Sequence, residues 1–214
     1  MRQEVRPLLI LGAGGFAVSV ADLVSEIGGY SVAGFVQSLS PEHRGAQIDG
    51  LPVYWIDDIA GLASTHLCVC AIGSPRRKAL IERAAACGFR FATIIHPLAR
   101  VSRRAELGEG TLASDATTIA ALARVGRHVI MNRGALIGHH CEIGDYVTIG
   151  PGVNLGGRSQ VGEEAVIGIG ATIVDKVRIG PRALIGAGAV VVKDVPPDVR
   201  VLAPASIIIG QSEL

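Results

Sequence analysis

The chain has 214 residues, which is enough for one or two domains with a sizeable hydrophobic core. A formal net charge of +1 gives no electrostatic footprint for nucleic acid, and no apolar run approaches the length that spans a membrane. The charged stretch from Met1 to Pro7 lacks the features of a secretory signal. Four cysteines without paired-motif spacing are typical of buried thiols in a reducing compartment, so we expect a cytoplasmic protein that binds neither nucleic acid nor membrane.

The first part of the chain alternates apolar runs with helical patterns. In chain order, we predict a strand over 7–11, a helix that runs to Gly28-Gly29, strands over 31–36 and 67–73, a helix over 75–87 and a last strand over 91–95. The second helix is expected to bury an apolar face made of Leu80, Ile81, Ala84 and Ala85. Strands that alternate with helices indicate a small parallel α/β sheet of the mononucleotide-binding type.

A glycine-rich turn, Gly12-Ala13-Gly14-Gly15, separates the first strand from the first helix. Its spacing, G-x-G-x-x-A, brings backbone N–H groups and a helix N-terminus up to a phosphate, although a tight turn without a ligand is the alternative. The second strand ends at Phe35-Val36-Gln37-Ser38, without the carboxylate that binds the ribose of a nicotinamide dinucleotide. A small phosphate-bearing molecule is therefore favoured over NAD.

Residues 101–196 repeat every six residues without a break, and this period belongs to a hexapeptide solenoid rather than to a helix or an ordinary strand. The first residue of every hexad is apolar, the second is often glycine, and the fifth is nearly always small or β-branched. We expect three hexads to form one triangular coil, so that first-position side chains stack inward on the residue eighteen positions away, as Ile119 does on Ile137. The fifth-position residues would fill the corners, and the second-position glycines would supply turn dihedrals that other residues avoid.

Two adjacent histidines, His139 and His140, occupy the third and fourth positions of one hexad, which project outward at a turn. Such a pair is often only a polar turn, and a metal site is not expected because His128 is the only other histidine nearby. One coil further on, Gly156 and Gly157 lack side chains and would leave a slot and an exposed N–H beside the imidazole. A base next to a free backbone amide is the geometry that acyl transfer needs.

The whole chain resembles a family of bacterial nucleotide-sugar acyltransferases. The resemblance rests on the segments Leu9 to Gly15, Ala71 to Gly73, Ile95 to Pro97, Gly134 to Gly144, Ile185 to Asp194 and Pro204-Ala205. Members acetylate nucleotide-activated 4-amino sugars such as bacillosamine and perosamine precursors, and relatives O-acetylate sialic acid. The resemblance implies a Rossmann-like, nucleotide-sugar-binding α/β domain over 1–97 with a small parallel sheet. A left-handed parallel β-helix of hexapeptide repeats would follow over 98–214, ending in a C-terminal cap.

The resemblance also implies roles for individual residues. It makes His139 the general base, puts the neighbouring His140 in the catalytic block, and gives the Gly157 N–H the task of stabilising the oxyanion. Acetyl-CoA would lie in a groove between the β-helices of a homotrimer, without a metal ion. The matching cofactor-binding positions are Gly156, Gly157, Gly168, Ile169, Ala187 and Lys193. The nucleotide-linked amino sugar would bind at Gly12, Ala13, Gly14, Gly15, Gln37 and Gly73.

Several positions depart from the usual residues of that family. Phe16 replaces a histidine, Gln37 an aspartate, His140 a carboxylate and Thr148 a second histidine found in some members, while the segment 202–206 departs from the usual G-x-P-A-K. The predicted activity is N-acetylation of a nucleotide-activated amino sugar in glycan biosynthesis. The alternatives are O-acetylation of a sugar of the sialic acid type, a non-catalytic nucleotide-binding module that trimerises, and, more remotely, a metal-dependent hydrase.

Overall fold

Two bodies of secondary structure follow each other along the chain, a six-stranded sheet with two helices and a three-sided solenoid. The computed structural model describes residues 5–39 and 44–203. The segment Pro204-Ala205, which contributes to the family resemblance, lies outside the described residues together with the predicted C-terminal cap beyond it.

The first body is a mostly parallel sheet whose strands lie in the order β3-β4-β2-β1-β5-β6. Its elements are β1 (Arg6–Leu11), α1 (Gly15–Ser25), β2 (Tyr30–Gln37), β3 (Gln47–Ile48), β4 (Leu51–Trp55), β5 (Leu67–Cys70), α2 (Arg77–Ala86) and β6 (Arg90–Phe91), with two 3₁₀ turns at Ile56–Asp58 and Ala60–Leu62. The central strand β1 is fully buried from Leu8 to Leu11, as its unbroken apolar run predicts. The antiparallel hairpin of β3 and β4 at the sheet edge was not predicted.

The strand predicted over 91–95 is in fact two strands that belong to different bodies. Phe91 pairs with Cys68 of β5, whereas Ile94–Ile95 (β7) pairs with Leu112–Ala113 in the solenoid. The chain passes from one sheet to the other within two residues. The Ala92 N–H still donates to the Cys68 carbonyl of the first body, whereas the Ile94 N–H donates to the Thr111 carbonyl of the solenoid. The solenoid therefore begins one hexad before residue 101.

The solenoid has three flat sides, each a ladder of two-residue parallel strands. The first side, called the covered side, contains β7, β10 (Leu112–Ala113), β13 (Ile130–Met131), β16 (Thr148–Ile149), β19 (Val166–Ile167), β22 (Leu184–Ile185) and β24 (Arg200–Val201). The apolar side contains β8 (Arg100–Val101), β11 (Thr118–Ile119), β14 (Leu136–Ile137), β17 (Asn154–Leu155), β20 (Thr172–Ile173) and β23 (Val190–Val191). The charged side contains β9 (Glu106–Leu107), β12 (Arg124–Val125), β15 (Glu142–Ile143), β18 (Gln160–Val161) and β21 (Arg178–Ile179).

The strand register confirms the stacking that the six-residue period predicts. Ile119 pairs with Ile137 and Ile137 pairs with Leu155, so residues eighteen apart lie directly over one another. First-position side chains are buried from Ala113 to Val191, and fifth-position side chains are buried from Thr111 to Val195. The repeat thus builds one continuous apolar core inside the prism.

The prediction that second-position glycines supply the turn dihedrals is wrong. The left-handed dihedrals fall on the fourth position, where non-glycine residues such as Tyr146 (φ 60°) and Lys176 (φ 65°) adopt them. The second-position glycines are needed for a different reason, which is the close stacking of coils. A Cβ atom on Gly168 would lie 2.7 Å from the backbone nitrogen of Ala187, and one on Gly144 would lie 2.7 Å from that of Glu163.

The first body packs on the covered side of the solenoid, and a buried arginine fixes the contact. Arg77, at the start of α2, is fully buried and donates hydrogen bonds to Thr148 Oγ1 (2.7 Å) and to the carbonyl oxygens of Val147 (3.0 Å) and Tyr146 (2.5 Å). Thr148 Oγ1 in turn donates to the Gly73 carbonyl at 3.1 Å. Burial lowers the pKa of Arg77 to about 10, so the guanidinium remains charged at neutral pH.

Candidate active site

His139 lies at the corner between the apolar side and the charged side, which we call the histidine corner (residues 138–141 with the stacked turns 156–159, 174–177 and 192–195). The side chain is exposed, and its ring lies against the backbone of the next coil. A Cβ atom on Gly157 would come within 2.7 Å of His139 Nε2, so the imidazole occupies the space that a side chain at 157 would need. The absence of that side chain is what allows the Nε2 atom to face the stacked turn.

His140 contacts His139 through the other ring nitrogen. The two Nδ1 atoms are 3.0 Å apart, and the rings are nearly perpendicular at 87° with centroids separated by 5.2 Å. His140 occupies the fourth position of its hexad and has the left-handed φ of 58° that this position adopts from Gly110 to Gly188. The turn geometry therefore places the second imidazole against the Nδ1 edge of the first and leaves His139 Nε2 pointing at Gly157.

The expected free N–H at Gly157 is already occupied. The Gly157 N–H donates to Asp175 Oδ1 at 2.9 Å, and Asp175 is an exposed residue eighteen positions further along the same corner. The same bond recurs elsewhere, since the Arg127 N–H donates to Asp145 Oδ1 at 2.7 Å. Asp175 was not among the predicted site residues, although its spacing from Gly157 follows directly from the eighteen-residue coil.

The predicted cofactor-binding residues divide between two corners of the prism. Gly156, Gly157 and Lys193 share the histidine corner with His139, and Lys193 is exposed on the coil beyond Asp175. Gly168, Ile169 and Ala187 instead lie at the groove corner, which we define as the turns between the covered and apolar sides. Within one chain the two sets are separated by the width of the apolar side, so they do not form one continuous groove.

The glycine turn of the first body has the geometry that a phosphate site requires. Gly12 has a φ of 127°, and a Cβ there would lie 3.0 Å from the Ala71 carbonyl oxygen, so this position accepts only glycine. Gly14 and Gly15 are exposed at the N-terminus of α1, with open space around them. Gln37 ends β2 and Gly73 follows β5, at the same carboxyl edge of the parallel sheet.

Two cavities lie on either side of this turn. One of about 290 Å³ is lined by Ala13, Gln37, Gln47 and Val53, and the buried Gln37 Nε2 has no hydrogen-bond partner among residues 5–39 and 44–203. A buried donor without a partner is costly, and a ligand acceptor would remove that cost.

The second cavity, of about 340 Å³, lies between α1 and the solenoid and includes Phe16, Asp22, Asp115 and Arg133 in its wall. Asp115 and Arg133 are third-position residues on the groove corner, in the same column as Ile169 and Ala187. Neither was among the predicted substrate-binding residues, because this cavity exists only once the first body has packed on the covered side.

A buried histidine holds one wall of the second cavity. His96 Nδ1 accepts the Leu98 N–H at 3.0 Å, which places the ring proton on Nε2, and Nε2 donates to Glu26 Oε2 at 3.0 Å. This chain of hydrogen bonds ties the C-terminal end of α1 to the start of the solenoid.

The described part of the chain has no group of three or more His, Cys, Asp or Glu side chains placed to hold a metal ion. Within the same residues, no helix is both long enough and apolar enough to cross a membrane.

Comparison with known families identifies both bodies. The family described as PglD N-terminal domain matches residues 7–84, and the family described as bacterial transferase hexapeptide (six repeats) matches residues 158–193. A comparison with curated proteins gives no match.

Solved structures resemble the chain over almost its whole length. The acetyltransferase domain of PglB from Neisseria gonorrhoeae FA1090 is 32% identical with a TM-score of 0.83, over 92% of this chain and 97% of that one. A mutant perosamine N-acetyltransferase from Caulobacter crescentus, in complex with CoA and GDP-perosamine, is 32% identical with a TM-score of 0.86, over 96% and 97% of the two chains. WeeI from Acinetobacter baumannii AYE is 28% identical with a TM-score of 0.83, over 95% and 100%.

The chain therefore belongs to the family of hexapeptide-repeat acetyltransferases that carry a PglD-type N-terminal domain. It is an acyltransferase, and the expectations of a Rossmann-like domain joined to a hexapeptide solenoid and of an enzyme are confirmed. The PglB domain has also been solved with acetyl coenzyme A.

Proposed function

We propose that this protein transfers the acetyl group of acetyl-CoA to the amine of a nucleotide-linked amino sugar. The observation that carries the proposal is the position of His139, whose Nε2 faces the backbone of Gly157 on the adjacent coil. The relatives support the chemistry, because one is a perosamine N-acetyltransferase in complex with CoA and GDP-perosamine and another is an acetyltransferase domain in complex with acetyl coenzyme A. A cytoplasmic location accords with these two proposed substrates.

In the proposed reaction, the amine nitrogen attacks the thioester carbonyl carbon, and the carbonyl oxygen becomes an oxyanion. His139 Nε2 accepts a proton from the attacking nitrogen. The oxyanion then collapses, the carbon–sulfur bond breaks, and the protonated His139 returns this proton to the sulfur, so that CoA leaves as the thiol. The Gly157 N–H can stabilise the oxyanion only after Asp175 has released it, since Asp175 Oδ1 accepts that hydrogen bond at 2.9 Å in the free protein. Movement of the Asp175 side chain is therefore part of the proposed reaction.

The division of the acetyl-CoA residues between two corners supports a site shared by two copies in a homotrimer. The histidine corner of one copy would face the groove corner of the next, so that His139 and Ile169 approach the same acetyl-CoA from opposite walls. Ile169 at the groove corner is 62% exposed, and Val190 on the apolar side is 66% exposed. Contact between copies would bury these side chains.

The nucleotide sugar is proposed to lie across the glycine turn. Its diphosphate would bind the free N–H groups at Gly14 and Gly15, and its base would enter the 290 Å³ cavity, where the Gln37 amide needs a partner. The sugar would occupy the 340 Å³ cavity beside Asp115 and Arg133, which lie on the column that leads to the proposed acetyl-CoA groove. Carboxylate and guanidinium groups suit the hydroxyls and the amine of such a sugar.

The test is a thiol-release assay with acetyl-CoA against UDP-, GDP- and dTDP-linked 4-amino sugars, with free sialic acid as the hydroxyl acceptor. We expect release with at least one amino sugar and none with sialic acid. Release with sialic acid alone would replace the proposal by O-acetylation, and no release with any acceptor would favour a non-catalytic nucleotide-binding module. Sedimentation in the same buffer tests the shared site, since an active monomer would contradict it.

A further inference from the structure

His140 is in direct contact with the proposed base His139, and this contact gives it a specific task. We propose that His140 is a positioning residue. When neutral, it holds His139 in the tautomer that can act as a base, and when protonated, it shifts His139 to the tautomer that cannot. The inference rests on the proposed function, in which His139 Nε2 is the base.

The Nδ1 atoms of the two imidazoles are 3.0 Å apart, and this distance requires one proton between them. Two neutral nitrogens without that proton would repel through their lone pairs, and two N–H groups would clash. A neutral imidazole carries its proton on one nitrogen and a lone pair on the other, so the location of the shared proton fixes both rings.

Only one of the two arrangements supports catalysis. If His139 Nδ1 carries the proton, its Nε2 has a lone pair directed at Gly157 and can accept a proton from the amine. If His140 Nδ1 carries it, His139 Nδ1 must accept, and the His139 proton moves to Nε2, where it blocks the base. A carboxylate at position 140 could only accept, so the ambiguity is created by the histidine.

The cavity beside His140 contains carboxylates that could accept the proton that the active arrangement places on His140 Nε2. His140 shares a cavity of about 270 Å³ with Arg104, Glu106, Arg124 and Glu142. In the active arrangement the His140 Nε2–H is a donor, and either carboxylate in this cavity can accept it.

The remaining charged groups near this pair lie on the neighbouring strands and on the next coil. Glu106 lies 3.8 Å from Arg124, and Glu142 accepts from Gln160 at 3.3 Å, while Arg158 occupies the matching fourth position of the next coil. Protonation of His140 adds a proton at Nδ1, which then donates to His139 Nδ1 and moves the His139 proton to Nε2. Acid thus removes the base in two ways, by protonating His139 itself and by protonating His140.

The first test needs no substrate. Long-range ¹H–¹⁵N spectra of the full-length protein labelled with ¹⁵N-histidine report the protonated nitrogen of each ring, and His139→Asn and His140→Asn variants assign the signals. We expect His139 with its proton on Nδ1 and His140 with its proton on Nε2 near neutral pH. A His139 ring protonated at Nε2 would overturn the proposal, whether or not any sugar is acetylated.

The second test uses a pair of variants that fit the same turn. Glu164 (φ 60°) and Lys176 (φ 65°) already occupy fourth positions, so both His140→Glu and His140→Lys suit the backbone. The acceptor-only glutamate should keep kcat within a few-fold, whereas the donor-only lysine should lower it roughly 100-fold or more by trapping the wrong tautomer. If His140 only held the turn, the two variants would behave alike.

The acid limb of the pH–rate profile gives an independent readout of the same pair. In a plot of log kcat against pH, the acid limb of the unchanged protein should reach a limiting slope of two. His140→Glu should reduce that slope to one, because the glutamate stays ionised over this range. A His66→Asn variant, altered far from the site, should keep the slope of two. A slope of one in the unchanged protein would contradict the second proton. The spectra remain decisive if no acceptor is found, so failure of the proposed function and failure of this inference are distinguishable.

Discussion

The covered side and the histidine corner both carry polar side chains that a hexapeptide repeat does not need, but they use them differently. On the covered side, Arg77 is fully buried and its terminal guanidinium nitrogens are hydrogen-bonded to Thr148 and to backbone carbonyls. At the histidine corner, His139 is exposed and its Nε2 faces a glycine backbone. The first group makes its hydrogen bonds within the protein, although Arg77 Nε has no partner among the described residues, whereas the second group retains capacity for a substrate.

The contrast separates two kinds of polar residue that a regular repeat does not require, those that stabilise the structure and those that serve activity. A polar group whose partners lie within the protein fixes the structure, and its removal should reduce stability. A polar group that lies on the surface with an unused nitrogen contributes little to stability, and its removal should reduce activity. The two regions therefore predict opposite phenotypes for single substitutions.

The largest expected effect is that of His139→Ala on activity. Loss of a general base typically lowers kcat by about 10²–10⁴-fold, and the exposed side chain should leave the melting temperature nearly unchanged. Thiol release with the best acceptor measures the rate, and thermal unfolding measures the stability. His66→Ala, on the first body, is the control. A variant that retained near-full activity would remove His139 from the proposed role.

Arg77→Met should give the reverse phenotype. It deletes a buried guanidinium, leaves the Tyr146 carbonyl oxygen without its donor and leaves the Val147 carbonyl oxygen with only the Ile130 N–H, which should cost about 3 kcal/mol of unfolding free energy. Urea titration followed by circular dichroism measures this cost. Arg76→Met is the matched control, because Arg76 is exposed one residue earlier and should change stability by less than about 0.5 kcal/mol.

If Arg76→Met and Arg77→Met proved equally stable, the proposed fastening role of Arg77 would be wrong. A loss of kcat without a loss of stability in Arg77→Met would place it in the active site instead.

The Asp175→Ala variant tests whether the histidine corner is closed in the free protein. Removal of the carboxylate frees the Gly157 N–H for the oxyanion of the transition state, so kcat/KM for acetyl-CoA should rise by about three- to ten-fold. Asp145→Ala removes the equivalent bond to the Arg127 N–H at another corner and should leave kcat/KM unchanged. An unchanged or lower kcat/KM in Asp175→Ala would contradict the role of Gly157 as the oxyanion donor.

The sequence predicts the solenoid core well because each coil repeats the same environment. Ile119, Ile137 and Leu155 lie eighteen residues apart, and nothing outside the repeat is needed to place them. The histidines are predictable for the same reason, as departures from a known column. The predicted acetyl-CoA residues follow the hexad columns in the same way, but only the structure shows which of the three corners each hexad reaches, and it divides them between the histidine corner and the groove corner.

The contacts between the two bodies could not be predicted from the sequence pattern. The apolar pattern of the second helix correctly marked Leu80, Ile81 and Ala84 as buried, but Ala85 is exposed and Arg77 is buried instead. An arginine enters the interior only because three backbone carbonyls from two distant turns converge on it. No local pattern encodes that convergence, nor does any encode the cavity beside Asp115 and Arg133.

The smallest expected effect concerns the pH dependence of the covered side. His128 is buried between the rings of Phe91 and Tyr146, and its Nδ1 has no hydrogen-bond partner within the described residues. Burial, assisted by the charges of Arg127 and Arg77, lowers the pKa of His128 below its ordinary value of 6.5. The unfolded chain therefore binds a proton at a higher pH than the folded chain does.

The sign of the effect follows from that difference in proton binding. Above about pH 7 both states are neutral at His128 and stability is unaffected, but as the pH falls below 6.5 the unfolded state is protonated first and the unfolding free energy decreases. His128→Phe removes this contribution, so its unfolding free energy relative to the unchanged protein should rise as the pH falls from 7 to 5 and stay constant above 7. Urea titrations at several pH values measure it, with His66→Phe as the control. A difference that did not vary with pH would mean that His128 takes up its proton equally well in the folded state, and the covered side would then be less closed to water than its packing indicates.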